Sequence, residues 1–116
     1  MVVSIHLFDA SALEWTEHPQ FAGLFIKVLE ARATNPAASV TLTLLAVGKS
    51  IGTHVHPVET ETAYILAGRA RLVAGEEVHL MTAGAGASVF PTTPHSLHNE
   101  SDEDVMLLAV HVPPVR

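Results

Sequence analysis

His54, His56 and Glu61 are the residues of this chain whose types and spacing could do chemistry together. His54 and His56 are one residue apart, so on a strand both rings leave the same face. Glu61 follows a turn begun by Pro57 and can re-enter the same space from the next strand. Imidazoles and a carboxylate converging in an apolar interior suit a first-row divalent cation, because a buried charge needs a partner. One His alone is more often a surface or hydrogen-bonded residue. The grouping, in a chain with 8 His among 116 residues, is what points to a site.

The elements that must position these side chains are short. Gly and Pro punctuate the chain from position 19 onward, which leaves little room for long helices. Between the breakers run Val, Ile, Leu and Thr, often alternating, as in Ser39 to Leu44, where Val40, Leu42 and Leu44 are expected to point inward. Further strands are expected at Leu24 to Ala31, Thr53 to His56, Glu61 to Ala67, Ala70 to Ala74, Val78 to Met81, Ser88 to Pro91, His95 to Asn99 and Val105 to Val112. The last is apolar on both faces, as in a strand lying between two layers. A short helical turn is expected over Ser11 to Glu17, capped by Asp9 or Ser11. Many short, closely spaced strands mean an all-β sandwich or barrel.

Composition narrows the function. A length of 116 residues suits one domain, and 48% hydrophobic with 16% charged residues favours a folded core over disorder. The net charge is −6 and the six Lys and Arg are scattered, which argues against nucleic acid and anionic membranes. Glu100 to Asp104 is most simply a solvated acidic turn. Without Cys there are no disulfides, thiolate ligands or Cys nucleophile. Met1 to Asp9 has no basic leader, and no span approaches the roughly 20 apolar residues that cross a bilayer, so a cytoplasmic protein is the default expectation.

Gly48, His54, His56, Glu61 and Gly68 have the spacing of the first sequence motif of the cupin superfamily, which the chain therefore resembles. A second motif resembles the family's less fully. Gly84, His95 and Asn99 are in place, but Phe90 stands at the usual first Pro, Thr92 at the usual Gly, and Ala85 where many members have Asp. The turn before His95 is therefore expected to differ in shape. The resemblance spans about residues 38–112, with an extra strand segment in residues 1–37, all within one cupin domain. It implies a double-stranded β-helix, or jelly-roll-like β-barrel, with His54, His56, Glu61 and His95 as ligands of one divalent metal ion on its inner wall. Glu59 is the rival to Glu61, and the motif spacing favours Glu61. It also implies pairing as a homodimer, for which unpaired strand edges offer a physical motive.

Four protein ligands leave two positions open on Mn, Fe, Ni or Co, and Zn fits the same donors at lower coordination. Strand parity places Val40, Leu42, Leu44, Ala63, Ile65 and Leu97 around the cavity, with Asn99 as a neutral polar group and no Lys or Arg inside. That wall suits a small, largely apolar molecule binding the metal through oxygen better than a sugar phosphate. His98, three positions after His95, should face away, as should Tyr64. His6, His18, His79 and His111 have no partner spacing and are expected to be structural or exposed. Three functions fit: a dioxygenase, decarboxylase or isomerase acting on an oxygen-bearing small molecule, a non-catalytic binding or sensing module, and a barrel that the metal merely staples together.

Overall fold

The computed structural model describes residues 4–116; residues 1–3 of the N-terminal stretch weighed above lie outside them. Among the described residues there are ten strands: β1 Thr16–Glu17, β2 Leu24–Glu30, β3 Ser39–Leu45, β4 Ser50–His54, β5 Thr60–Ala67, β6 Arg69–Ala74, β7 Glu77–Thr82, β8 Gly86–Val89, β9 His95–His98 and β10 Val105–Val112. They form two antiparallel sheets, ordered β1-β2-β3-β10-β5-β8 and β4-β9-β6-β7, which face each other as a double-stranded β-helix. None of the described helices is long and apolar enough to cross a membrane, which says nothing of strands.

Leu24, Leu45, Ile65, Ala70, Met81, Val105, Leu107 and Ala109 form the buried core between the sheets. Each large aliphatic side chain buried this way contributes about 1.5–3 kcal/mol. The tight turn from β5 to β6 depends on Gly68, whose φ is 81°. A Cβ there would meet the Asp104 carbonyl oxygen at 2.5 Å. Gly68→Ala is therefore expected to cost roughly 2–4 kcal/mol, combining left-handed strain with a backbone clash, as denaturant unfolding would show.

Three expectations need correction. Residues 11–17 do not form a helical turn. A single 3-10 turn occupies Ala10–Ala12, capped by Asp9, whose carboxylate accepts from the Ser11 N–H at 2.9 Å, and Thr16–Glu17 pair with β2 instead. Strand β4 ends at His54, so His56 leads into the following loop rather than continuing the strand.

The third concerns β3, where Ser39, Thr41, Thr43 and Leu45 are buried while Val40, Leu42 and Leu44 face outward and are half-buried. Their register explains it. Val40, Leu42 and Leu44 pair with Val110, Leu108 and Met106 of β10, so the outer face of this sheet carries its own apolar surface. β10 is central within its sheet, with Leu107, Ala109 and His111 turned inward. Its second apolar face belongs to that outer surface and not to an interior layer.

Candidate metal centre

Strand pairing explains why distant residues meet. His54 and His95 are direct partners across β4 and β9, and Glu61 and His111 are direct partners across β5 and β10. Each sheet thus offers one pair to the barrel interior. His56, in the loop between β4 and β5, approaches both, with ring centroids 5.0 Å from His54, 5.2 Å from His95 and 4.8 Å from His111. The His54 and His95 rings are 4.1 Å apart.

The donor atoms converge on one carboxylate oxygen. Glu61 Oε1 lies 2.9 Å from His111 Nε2, 3.1 Å from His56 Nε2 and 3.4 Å from His95 Nε2. Ligand atoms of His54, His56, Glu61 and His95 all lie within 4.8 Å of one another, a spread that one cation can bridge. Behind them, His54 Nδ1 donates to the Gly52 carbonyl at 2.8 Å and His95 Nδ1 donates to the Thr93 carbonyl at 2.9 Å. Those bonds turn both Nε2 atoms toward the centre, the arrangement that orients metal-binding imidazoles. The donor set and its backing therefore fit a divalent ion.

Electrostatics agree with that fit. Burial by itself would raise the Glu61 carboxyl, but hydrogen bonds from His111, His56 and His95 outweigh it and hold Glu61 well below the usual carboxylate range. His95 is opposed by burial, yet its bonds to Glu61 and Thr93 raise it above its ordinary value. Burial lowers His54, which faces Glu61 less directly. An ionised carboxylate beneath imidazoles is a ready cation seat.

The turn before His95 keeps the shape a glycine would give it. Thr92, at the usual Gly, adopts φ 68°, and its N–H donates to the His56 carbonyl at 2.8 Å, tying the two motif loops together. A β-branched residue is strained there. Thr92→Gly is expected to relieve that strain and stabilise the protein by about 1 kcal/mol, visible as a rise in Tm; the looser unfolded chain offsets part of the gain.

The centre lies between two cavities. The larger, about 270 Å³, is lined by His54, His56, Glu61 and His111 together with His18, Gln20, Phe21, Val115 and Arg116, among others. The smaller, about 40 Å³, touches Ala63, Ile65 and Leu97, together with His54, Glu61 and His95. Val40, Leu42 and Leu44 line neither, being on the outer face; Thr41 and Thr43 take their place. Asn99 lines neither cavity and instead clamps a loop: its Nδ2 donates to the Leu45 and Glu103 carbonyls at 3.0 and 2.9 Å, and its Oδ1 accepts from Ser101.

Two residues were missed by sequence reasoning. His111, expected to be structural or exposed, is buried against Glu61, and its Nδ1 has no partner among the described residues. Its signal was parity with Leu107 and Ala109, hidden because both faces of β10 are apolar. Arg116 corrects the expectation of no cation in the cavity wall. His18 also reaches that wall, while His98 bonds Ser50 and Ser96 away from the centre, Tyr64 is exposed and His79 pairs with Glu77 outside.

Fold and cluster together define a double-stranded β-helix with a histidine-rich candidate metal centre. The family model described as "Cupin domain" matches residues 41–111, and the chain belongs to that family. No curated protein matches the sequence. Among solved structures, a predicted oxalate decarboxylase from Thermotoga maritima superposes with TM-score 0.84 at 23% identity, covering 93% of this chain and 99% of that one. KdgF from Halomonas sp. superposes with TM-score 0.85 at 14% identity, covering 95% and 94%. The polyketide cyclase RemF from Streptomyces resistomycificus gives TM-score 0.80 at 15% identity, covering 97% and 86%. At these identities the likeness is one of fold.

Proposed function

We propose that this cupin is a metalloenzyme acting on a small oxygen-bearing molecule, as a dioxygenase, decarboxylase or isomerase, with His54, His56, Glu61 and His95 holding one Mn, Fe, Ni, Co or Zn ion. The observation that carries it is that ligand atoms of His54, His56, Glu61 and His95 lie within 4.8 Å of one another, with His54, His56 and Glu61 also lining a cavity. A bound ion would supply Lewis-acid or redox chemistry, with positions left for the substrate's oxygen atoms.

The chain's own residues do the rest. His54 and His95 present Nε2 inward because their Nδ1 protons are held by Gly52 and Thr93. His111 donates to Glu61 and fixes that carboxylate's orientation, which makes it a positioning residue. Phe21, Leu24, Ile26, Leu107 and Ala109 supply an apolar wall that excludes water and strengthens polar contacts inside it. The test is to load the purified protein with Fe(II), Mn(II) or Ni(II) and offer oxalate, diketones, catechols and hydroxy acids. Metal-dependent loss of one of them is expected; stoichiometric binding without turnover would establish the sensing module instead.

We also propose a homodimer. The outward apolar face built by Val40, Leu42, Leu44, Met106, Leu108 and Val110 suits a second copy, and exposed Ile5, Leu7 and Phe8 offer an arm to reach it. Light scattering should give twice the chain mass; a monomer at all concentrations rejects it.

A further inference from the structure

Arg116 is the one Lys or Arg, among the described residues, that lines the larger cavity. Backbone bonds hold its segment in place. The Arg116 carbonyl accepts from the Arg32 N–H at 2.6 Å, the Pro114 carbonyl accepts from the Arg32 guanidinium at 2.9 Å, and the Val115 N–H donates to the buried Ser39 Oγ at 3.1 Å. Lys27, Arg32, Arg69 and Arg71 each reach an oxygen of the protein, and Lys49 is exposed to solvent. The half-buried Arg116 guanidinium reaches none among the described residues, although it carries five donors. Burial of such a group is unfavourable until its donors are met.

The charges of the cavity wall point the same way. Glu61 is the one Asp or Glu, among the described residues, that lines it, and a divalent ion seated on Glu61 would leave the cavity with excess positive charge from the ion and Arg116. Burial first and the nearby Arg116 second push His18 in the same wall downward, which sets the guanidinium close to that ring. A guanidinium takes carboxylates by two parallel hydrogen bonds, and a cavity of about 270 Å³ limits the partner to a small molecule.

We infer that the ligand of this cavity is a small carboxylate, bound at one end by Arg116 while another of its oxygens faces the His54, His56, Glu61 and His95 cluster. The second contact rests on the metal reading above; the first does not. This replaces the largely apolar ligand expected from strand parity.

The test is calorimetric titration of the full chain, Ni(II)-loaded and metal-free, with oxalate, malonate and succinate, and with succinamide as a neutral counterpart. At least one dicarboxylate is expected to bind about tenfold or more tighter than succinamide. Arg116→Gln should abolish that preference, and Arg116→Lys should retain part of it, with Ni(II) still bound by both variants. Wild-type protein without the preference, or Arg116→Gln binding the dicarboxylates as wild type does, overturns the inference. Failure of Ni(II) to bind wild type would instead remove the metal reading; Arg116-dependent preference in the metal-free protein then upholds the anion site, and its absence there rejects both.

Discussion

On the proposed site, Ni(II), Mn(II) or Zn(II) should stabilise the wild-type protein thermally, and His95→Ala is expected to erase that stabilisation. A ligand at 100 times its Kd stabilises a fold by about 2.7 kcal/mol, so a metal-dependent rise in Tm reads the site directly. Losing a residue that merely supports a ligand already costs roughly 10–100-fold in metal affinity, and loss of a ligand itself should reach at least the upper end. His95 is 5% exposed, pairs with His54 across β4 and β9, and has its Nδ1 committed to Thr93, which aims its Nε2 at the centre. Glu61 keeps His56 and His111 in the variant, so the metal-free protein should lose less stability than the metal-loaded one. Scanning both forms with and without metal separates the two effects. An unaltered metal-induced shift in His95→Ala rejects His95 as a ligand. A lost shift with small-molecule binding intact would identify the ion as a structural staple.

Glu61→Gln should destabilise the metal-free protein by about 3–5 kcal/mol near pH 6, because it leaves buried imidazoles without their carboxylate. The pH dependence follows from opposite shifts on the two partners. Glu61 is lowered in the folded protein, so its contribution is present above the unfolded carboxylate value, about 4.3, and is lost as pH falls below it. His95 is raised, so its contribution is complete below the unfolded imidazole value, about 6.5, and disappears as pH rises through the folded value. The pair therefore stabilises most between about pH 4.3 and 6.5. His54 is lowered by burial and works against that window, costing stability as pH falls through about 6.5. Chemical denaturation from pH 4 to 8 should show a maximum for wild type that Glu61→Gln flattens. Parallel profiles for the two proteins would show that the carboxylate does not govern the cluster's charge.

The apolar face of β3 shows how a correct pattern can carry the wrong sign. Alternation places Val40, Leu42 and Leu44 on one side of a strand, but a period of two residues does not say which side faces the barrel. Thr41 and Thr43 are the residues of β3 that turn inward to the cavity. An unpartnered sheet exterior can still be apolar, and only the register with Met106, Leu108 and Val110 reveals that surface. Asn99 was misplaced for a related reason. Its burial at 1% exposure serves a loop whose carbonyls need donors, and that demand arises between residues far apart in sequence.

By itself, the sequence determined the donor types and their local spacing: the His54, His56 and Glu61 group, the turn at Gly68, and the second motif ending in His95 and Asn99. Local chemistry suffices there, because turn residues and strand periodicity act within a few residues. Only the tertiary structure decided that His111 stands opposite Glu61, that Thr92 takes a glycine's conformation, and that Arg116 comes to the cavity through bonds to Arg32 and Ser39. Those are long-range pairings, set by which strands become neighbours when the two sheets close around the core.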